Sequence, residues 1–133
     1  VSWSIGTRPD AELVNTMLDA AIERVIASGD RPILHSDRGG HYRWPEWLSR
    51  ISDARLVCLM SRKGYSPDNA ACEDFFGRLK SELFYSRNWL FTSIEEFVAA
   101  LDSYIRWYNE ARITISLGAR SPIDHRSNVG LAA

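Results

Sequence analysis

Asp37 and Glu73 stand apart from the other carboxylates of this 133-residue chain because of what surrounds them. Asp37 follows Ile33-Leu-His-Ser36 and precedes Arg38-Gly-Gly40, so a short apolar run gives way there to a glycine-rich polar turn. Open α/β sheets gather ligands at the carboxyl ends of their strands, and a carboxylate at such a point is well sited for function. Glu73 comes after 35 intervening residues, at the start of a predicted helix, and Lys80 follows it by seven. Seven residues make two turns of about 3.6 each, so Glu73 and Lys80 project from one helix face while Phe75, Phe76 and Leu79 occupy another. Two carboxylates and a cation on one surface suit phosphoryl transfer. Hard divalent ions about 3.5–4 Å apart activate an attacking oxygen and stabilise a leaving one at phosphorus. Mg2+ prefers carboxylate oxygens, water and substrate phosphate, and a lysine holds a phosphate as a point charge. Acyl and hydride chemistry fit this set of residues less well.

The elements that must position these residues follow from hydrophobic spacing. Val1, Trp3 and Ile5 alternate with small or polar residues, as the end of a half-buried strand does. Gly6 breaks that pattern and Thr7–Asp10 is a helix entry. Leu13, Val14, Met17, Leu18, Ala21, Ile22, Val25 and Ile26 then recur at helical spacing, and Ser28-Gly29 ends the helix. Ile33–His35 fits a short buried strand, and strand, helix, strand in this order predicts a βαβ unit with a parallel pair. A short helix is expected over Pro45–Ile51, a strand over Arg55–Met60, and a loop over residues 61–70. A further helix opens at Asn69 or Ala70, with Phe75, Phe76, Leu79 and Leu83 on one side. Thr92-Ser-Ile-Glu95 has the form of a capping box before a long helix with Phe97, Val98, Leu101, Ile105 and Tyr108 inward. From Glu110 the sequence is irregular. The fold class is α/β with a helical C-terminal half, without internal repeats or an interdomain linker.

Composition sets the outer bounds. At 45% hydrophobic and 25% charged residues the chain is globular rather than disordered or low-complexity. No apolar run approaches the roughly 20 residues that span a bilayer, and no signal peptide is evident at Val1–Thr7. Cys58 and Cys72 are too few for a disulfide framework, so a cytoplasmic location is expected. The net charge of −1 argues against a protein that coats nucleic acid generically. The charge is uneven, however: residues 31–88 carry ten Lys and Arg against seven acids, and both candidate carboxylates lie in that basic middle.

Four ordered blocks carry a resemblance. His35-Ser-Asp-Arg-Gly-Gly-His-Tyr42, Ser61-Arg-Lys-Gly64, Asp68-Asn-Ala-Ala-Cys-Glu-Asp-Phe-Phe-Gly-Arg-Leu-Lys80 and the ending Leu117-Gly-Ala-Arg-Ser-Pro-Ile-Asp-His-Arg126, with Tyr108-Asn109 and Arg112 before it, resemble one family. It is the integrase-like catalytic core of bacterial insertion-sequence transposases, of the type encoded by a second reading frame. The resemblance implies an RNase H-like fold and DNA cleavage and joining supported by Mg2+ or Mn2+ in a two-metal site. Asp37 and Glu73 match the second and third members of the family's Asp-Asp-Glu triad and are the implied metal ligands. Lys80 matches the basic residue that contacts element-end DNA. Arg38, Tyr42, Arg62, Lys63 and Asn69 are further candidates for the DNA surface, with element ends and target DNA as partners.

The first Asp of the triad has no counterpart. Asp10, Asp19 and Asp30 precede Asp37, and none follows an apolar strand. The expectation is an incomplete RNase H-like core over residues 1–126, lacking its first two strands, with a tail over 127–133, and inactive by itself. Loss of those strands would leave an open sheet edge, from which self-association into a homo-oligomer is expected. Two other classes fit the residues: a non-catalytic dimerisation or regulatory module derived from such a transposase, and an RNase H-like nuclease acting on RNA or hybrids. His35 and His41 flank Asp37, but no Cys/His spacing supports zinc. Cys72 is expected to be a small core residue. The tryptophans and Tyr104 are expected in the core or an interface, and Arg112, Arg120 and Arg126 in tail–core pairs or on phosphate.

Overall fold

A computed structural model describes residues 2–29, 32–60 and 70–130. The chain divides into two compact units, Val1–Glu73 and Asp74–Ala133.

In the first unit, helix α1 spans Ala11–Ser28. Its start is fixed by Asp10, whose carboxylate accepts the Leu13 N–H at 2.9 Å. Its end is fixed by Gly29, which at φ 72° adopts the left-handed conformation that closes a helix and returns its N–H to Val25 and Ile26 carbonyls. Strand β1 (Ile33–Ser36) pairs in parallel with β2 (Val57–Met60), and the register sets Ile33 beside Val57 and Ser36 beside Met60. A 3-10 turn over Gly40–Arg43 and helix α2 (Pro45–Asp53), with Pro45 in its first turn, form the crossover between them. Leu18, Trp47 and Ile51 make the buried core, with Leu34, Tyr42, Leu56 and Cys58 packed against it. Polar ties join the two helices: the Asn15 amide donates to Glu46 at 2.9 Å, and Arg50 meets Asp19 at 2.8 Å.

Two expectations need correction here. Ser2–Gly6 form no strand. The Ser2 hydroxyl donates to the Met17 carbonyl at 2.9 Å, so this segment is tied to α1, and the parallel pair forms between β1 and β2 instead. The expected burial of the Ile33 strand holds for one face only. Leu34 and Cys58 turn to the core, while Ile33, Val57 and Leu59 on the other face are 60%, 57% and 49% exposed.

Helix α3 (Ala70–Leu79) opens in the first unit, with Glu73 as that unit's last residue, and continues into a π-helical turn over Lys80–Phe84. The second unit adds α4 (Ile94–Glu110) and α5 (Pro122–Asn128), around buried Leu83, Tyr104 and Ile105. The capping box of α4 is built by Ser93 and Glu96, one residue beyond the expected Thr92–Glu95. The Ser93 hydroxyl accepts the Glu96 N–H at 3.1 Å and the Glu96 carboxylate accepts the Ser93 N–H at 2.8 Å. Where irregular chain was expected, buried Ser121 caps α5 by accepting the Asp124 N–H, and Pro122 takes a first-turn position. Among the described residues no helix is long and apolar enough to cross a membrane.

Candidate acidic site at the end of β1

β1 ends on Ser36, which is buried, so the chain emerges from the packed layer at Asp37, an exposed residue. The Asp37 side chain turns back on its own loop: Oδ1 accepts the Gly39 N–H at 2.7 Å, a local bond that aspartate readily makes two residues on. Gly39 is confined on two sides. A Cβ there would lie 2.9 Å from Asp37 Oδ1 and 3.4 Å from Tyr42 Cδ2. The Tyr42 N–H in turn donates to the Gly39 carbonyl at 3.2 Å. Its ring meets Trp47 edge-on at 5.1 Å between centroids, and Trp47 is only 1% exposed. The loop that presents Asp37 is therefore fastened to the core through Tyr42.

Electrostatics link this loop to α3. The Tyr42 hydroxyl is held above its ordinary pKa by burial first, then by the charge of Asp37 and by Cys72. The Cys72 thiol is also raised, by burial first and then by Asp37 and Glu73. Two carboxylates 36 positions apart thus act on one sulfur. Cys72 itself is exposed, not the small core residue expected. Asp74, the carboxylate next to Glu73, is held by Arg78 one turn on at 2.9 Å.

The donors at this locus are hard oxygens, which fit Mg2+ or Mn2+ with water completing the coordination. Among the described residues no group of three or more His, Cys, Asp and Glu side chains converges on a metal position. His41 packs edge-on against Trp44 at 4.6 Å, and His35 is exposed on β1. Arg38 is exposed beside Asp37, and Lys80 is exposed at the first position of the π turn. Arg62, Lys63 and Asn69 lie outside the described residues. Tyr42 is half-buried, a loop residue whose ring serves packing.

Sequence reasoning missed Gly39 as a structural participant, although the Asp-Arg-Gly spacing carries the signal for such a turn. It also missed Glu82, which accepts the Tyr104 hydroxyl at 2.8 Å and the Arg112 guanidinium at 2.9 Å. Of the three late arginines, Arg112 thereby makes the tail–core pair that was one of its expected roles.

Residues 73–129 match the integrase core domain family. The chain is 59% identical over 131 residues to the probable transposase for insertion sequence element IS1353 of Shigella flexneri, a match covering 98% of this chain and 25% of that protein. It is 39% identical over 127 residues to the putative transposase InsK for insertion sequence element IS150 of Escherichia coli (strain K12), covering 96% and 44%. To the transposase InsF for insertion sequence IS3A of the same strain it is 34% identical over 126 residues, covering 92% and 42%. These matches support an integrase-core segment of an insertion-sequence transposase, and the chain spans between a quarter and a little under half the length of these relatives. A ribonuclease or a purely regulatory module is not favoured by these matches.

Proposed function

We propose that this segment supplies two metal-holding carboxylates, Asp37 and Glu73, to a polynucleotidyl transferase that cleaves and joins DNA strands during transposition. The observation that carries this reading is the exposed Asp37 carboxylate at the end of β1, with one oxygen held by the Gly39 N–H at 2.7 Å and with Glu73 in the first turn of α3. A divalent cation bound there would lower the barrier at phosphorus by charge neutralisation and by activating the attacking oxygen.

The chain's own residues would do the rest. Gly39 fixes one oxygen of Asp37, leaving the other for a cation. Lys80 and Arg38, with Arg62, Lys63 and Asn69, would hold DNA phosphates, and the Tyr42 hydroxyl would add a contact while its ring stays on Trp47. The fold that fits is an RNase H-like core over residues 1–126, with 127–133 as a tail. Asp37 and Glu73 would be two of the three carboxylates that the family's triad uses. That set suits one ion better than two, so the chain by itself is expected to be inactive. DNA element ends and target DNA are the proposed partners, and self-association through the sheet is the proposed assembly.

Calorimetric Mn2+ titration tests the site directly. Asp37→Asn and Glu73→Gln should each weaken binding by roughly tenfold or more, as loss of one charged ligand does. Equal affinity in all three proteins would remove the basis for the reading. A metal-dependent nicking assay on element-end DNA tests whether these two carboxylates suffice for activity. Robust activity of this chain, abolished by Glu73→Gln, would mean that a third carboxylate is present after all.

A further inference from the structure

Two residues of the Asp37 loop are built in a way that phosphate chemistry alone does not require. Gly39 donates its N–H to Asp37 Oδ1 at 2.7 Å, and the space where its side chain would begin is already taken. On one side lies the same Oδ1, 2.9 Å from an ideal Cβ; on the other lies the Tyr42 ring, at 3.4 and 3.5 Å. These two neighbours differ in how far they can yield. The Tyr42 ring is backed by Trp47, itself in the buried core with Leu18 and Ile51, and close-packed cores resist displacement. The carboxylate is the exposed end of a short side chain, held only by the Gly39 N–H among the bonds described above. An added methyl at Gly39 would therefore turn the carboxylate rather than move the ring. Gly40, the next residue, gives the contrast: a Cβ there meets nothing within 4 Å.

We propose that Gly39 and Tyr42 are positioning residues for Asp37: the Gly39 N–H fixes one carboxylate oxygen, and Tyr42, whose N–H donates to the Gly39 carbonyl and whose ring is seated on Trp47, holds Gly39 in place to do so. This inference rests on the reading of Asp37 as a cation ligand. The outer partners of a ligand commonly matter to affinity by about 10–100-fold, because they fix which lone pairs face the ion. Gly39 performs that service with a backbone group, and the smallness of its side chain is the condition for it. Toward Asp37, Tyr42 acts through its backbone N–H and its ring and not through the hydroxyl proposed to face DNA.

Mn2+ binding, measured calorimetrically on the intact chain, tests this. Gly39→Ala should weaken binding by roughly tenfold or more, while Gly40→Ala stays within about twofold of the wild type. In the Asp37→Asn background Gly39→Ala should add nothing, since its effect passes through that carboxylate. Tyr42→Phe should bind as the wild type does, and Tyr42→Leu should bind more weakly, with melting curves confirming that each variant is folded. A second measurement needs no Gly39 variant: hydrogen exchange at the Gly39 amide should be slow in the wild type and about tenfold faster in Asp37→Ala. Gly39→Ala binding Mn2+ as well as Gly40→Ala, with Asp37→Asn weakened, would overturn the positioning role alone. An exchange rate indifferent to Asp37→Ala would do the same. Wild type and Asp37→Asn binding Mn2+ equally would instead overturn the ligand reading of Asp37, and the positioning role with it.

Discussion

Asp37 and Glu82 show how local partners assign different tasks to similar groups. Asp37 takes one bond from a backbone N–H of its own loop and remains exposed. Glu82 accepts from Arg112 and from Tyr104, two side chains distant in sequence. Arg112 is the larger cause, and with Tyr104 it holds the Glu82 carboxyl below the ordinary glutamate range against the opposing effect of burial. Tyr104 is pushed well above the ordinary tyrosine value, by burial first and then by its bond to Glu82, so it remains a protonated donor. A lowered carboxyl pKa in the folded state stabilises the fold above the unfolded value and ceases to do so as pH falls through the folded value. Glu82→Gln should therefore cost about 1 kcal/mol near neutral pH, a figure reduced for the partial exposure of the pair. That difference should shrink once pH falls from about 4.3, the free glutamate value, through the lower folded one. Thermal melts of both proteins across this range would measure it; a difference independent of pH would contradict the assignment.

At the scale of elements, the start of α4 offers a direct comparison of two neighbouring hydroxyls. Ser93→Ala removes a cap and should cost about 1 kcal/mol, whereas Thr92→Ala should cost much less, as read from melting temperatures. Both Thr92-x-x-Glu95 and Ser93-x-x-Glu96 have capping-box form in the sequence. The choice falls on Ser93 because the Thr92 N–H already closes a turn onto the Trp89 carbonyl at 3.1 Å. This is typical of what could be read from sequence. The helical spacing of Leu13 through Ile26, and the Gly29 that stops it, depend on neighbours along the chain, so α1 was legible almost to its ends. Alternation at Val1, Trp3 and Ile5 announces a strand but cannot supply its partner, and Ser2 bonds to α1 instead. At seven residues α5 is too short for periodicity to show. Asp37 and Glu73 were legible as a motif with fixed spacing. Gly39 was not singled out, because its role depends on where the Tyr42 ring lies, and that is decided by packing on Trp47.

For the molecule as a whole, the core of the first unit and the bare face of its sheet make opposite demands. Leu18 is 1% exposed, and Leu18→Ala should cost about 3 kcal/mol, lowering the midpoint of urea unfolding. Leu59, on the outward face, packs against none of that core; Leu59→Lys should leave the midpoint nearly unchanged. The same substitution should reduce concentration-dependent association measured by light scattering, since lysine on a short exposed strand opposes pairing with another chain. A wild type that stays monomeric at high concentration would count against self-association. The outward row of Ile33, Val57 and Leu59, together with Phe91 at 94% exposure, has a further consequence at the bench. Dyes such as ANS brighten on accessible apolar surface and are used to detect molten globules. This protein should brighten the dye while its buried aromatic residues still give a structured near-ultraviolet dichroism spectrum, so a dye signal taken alone would report a fully folded sample as a partly unfolded one.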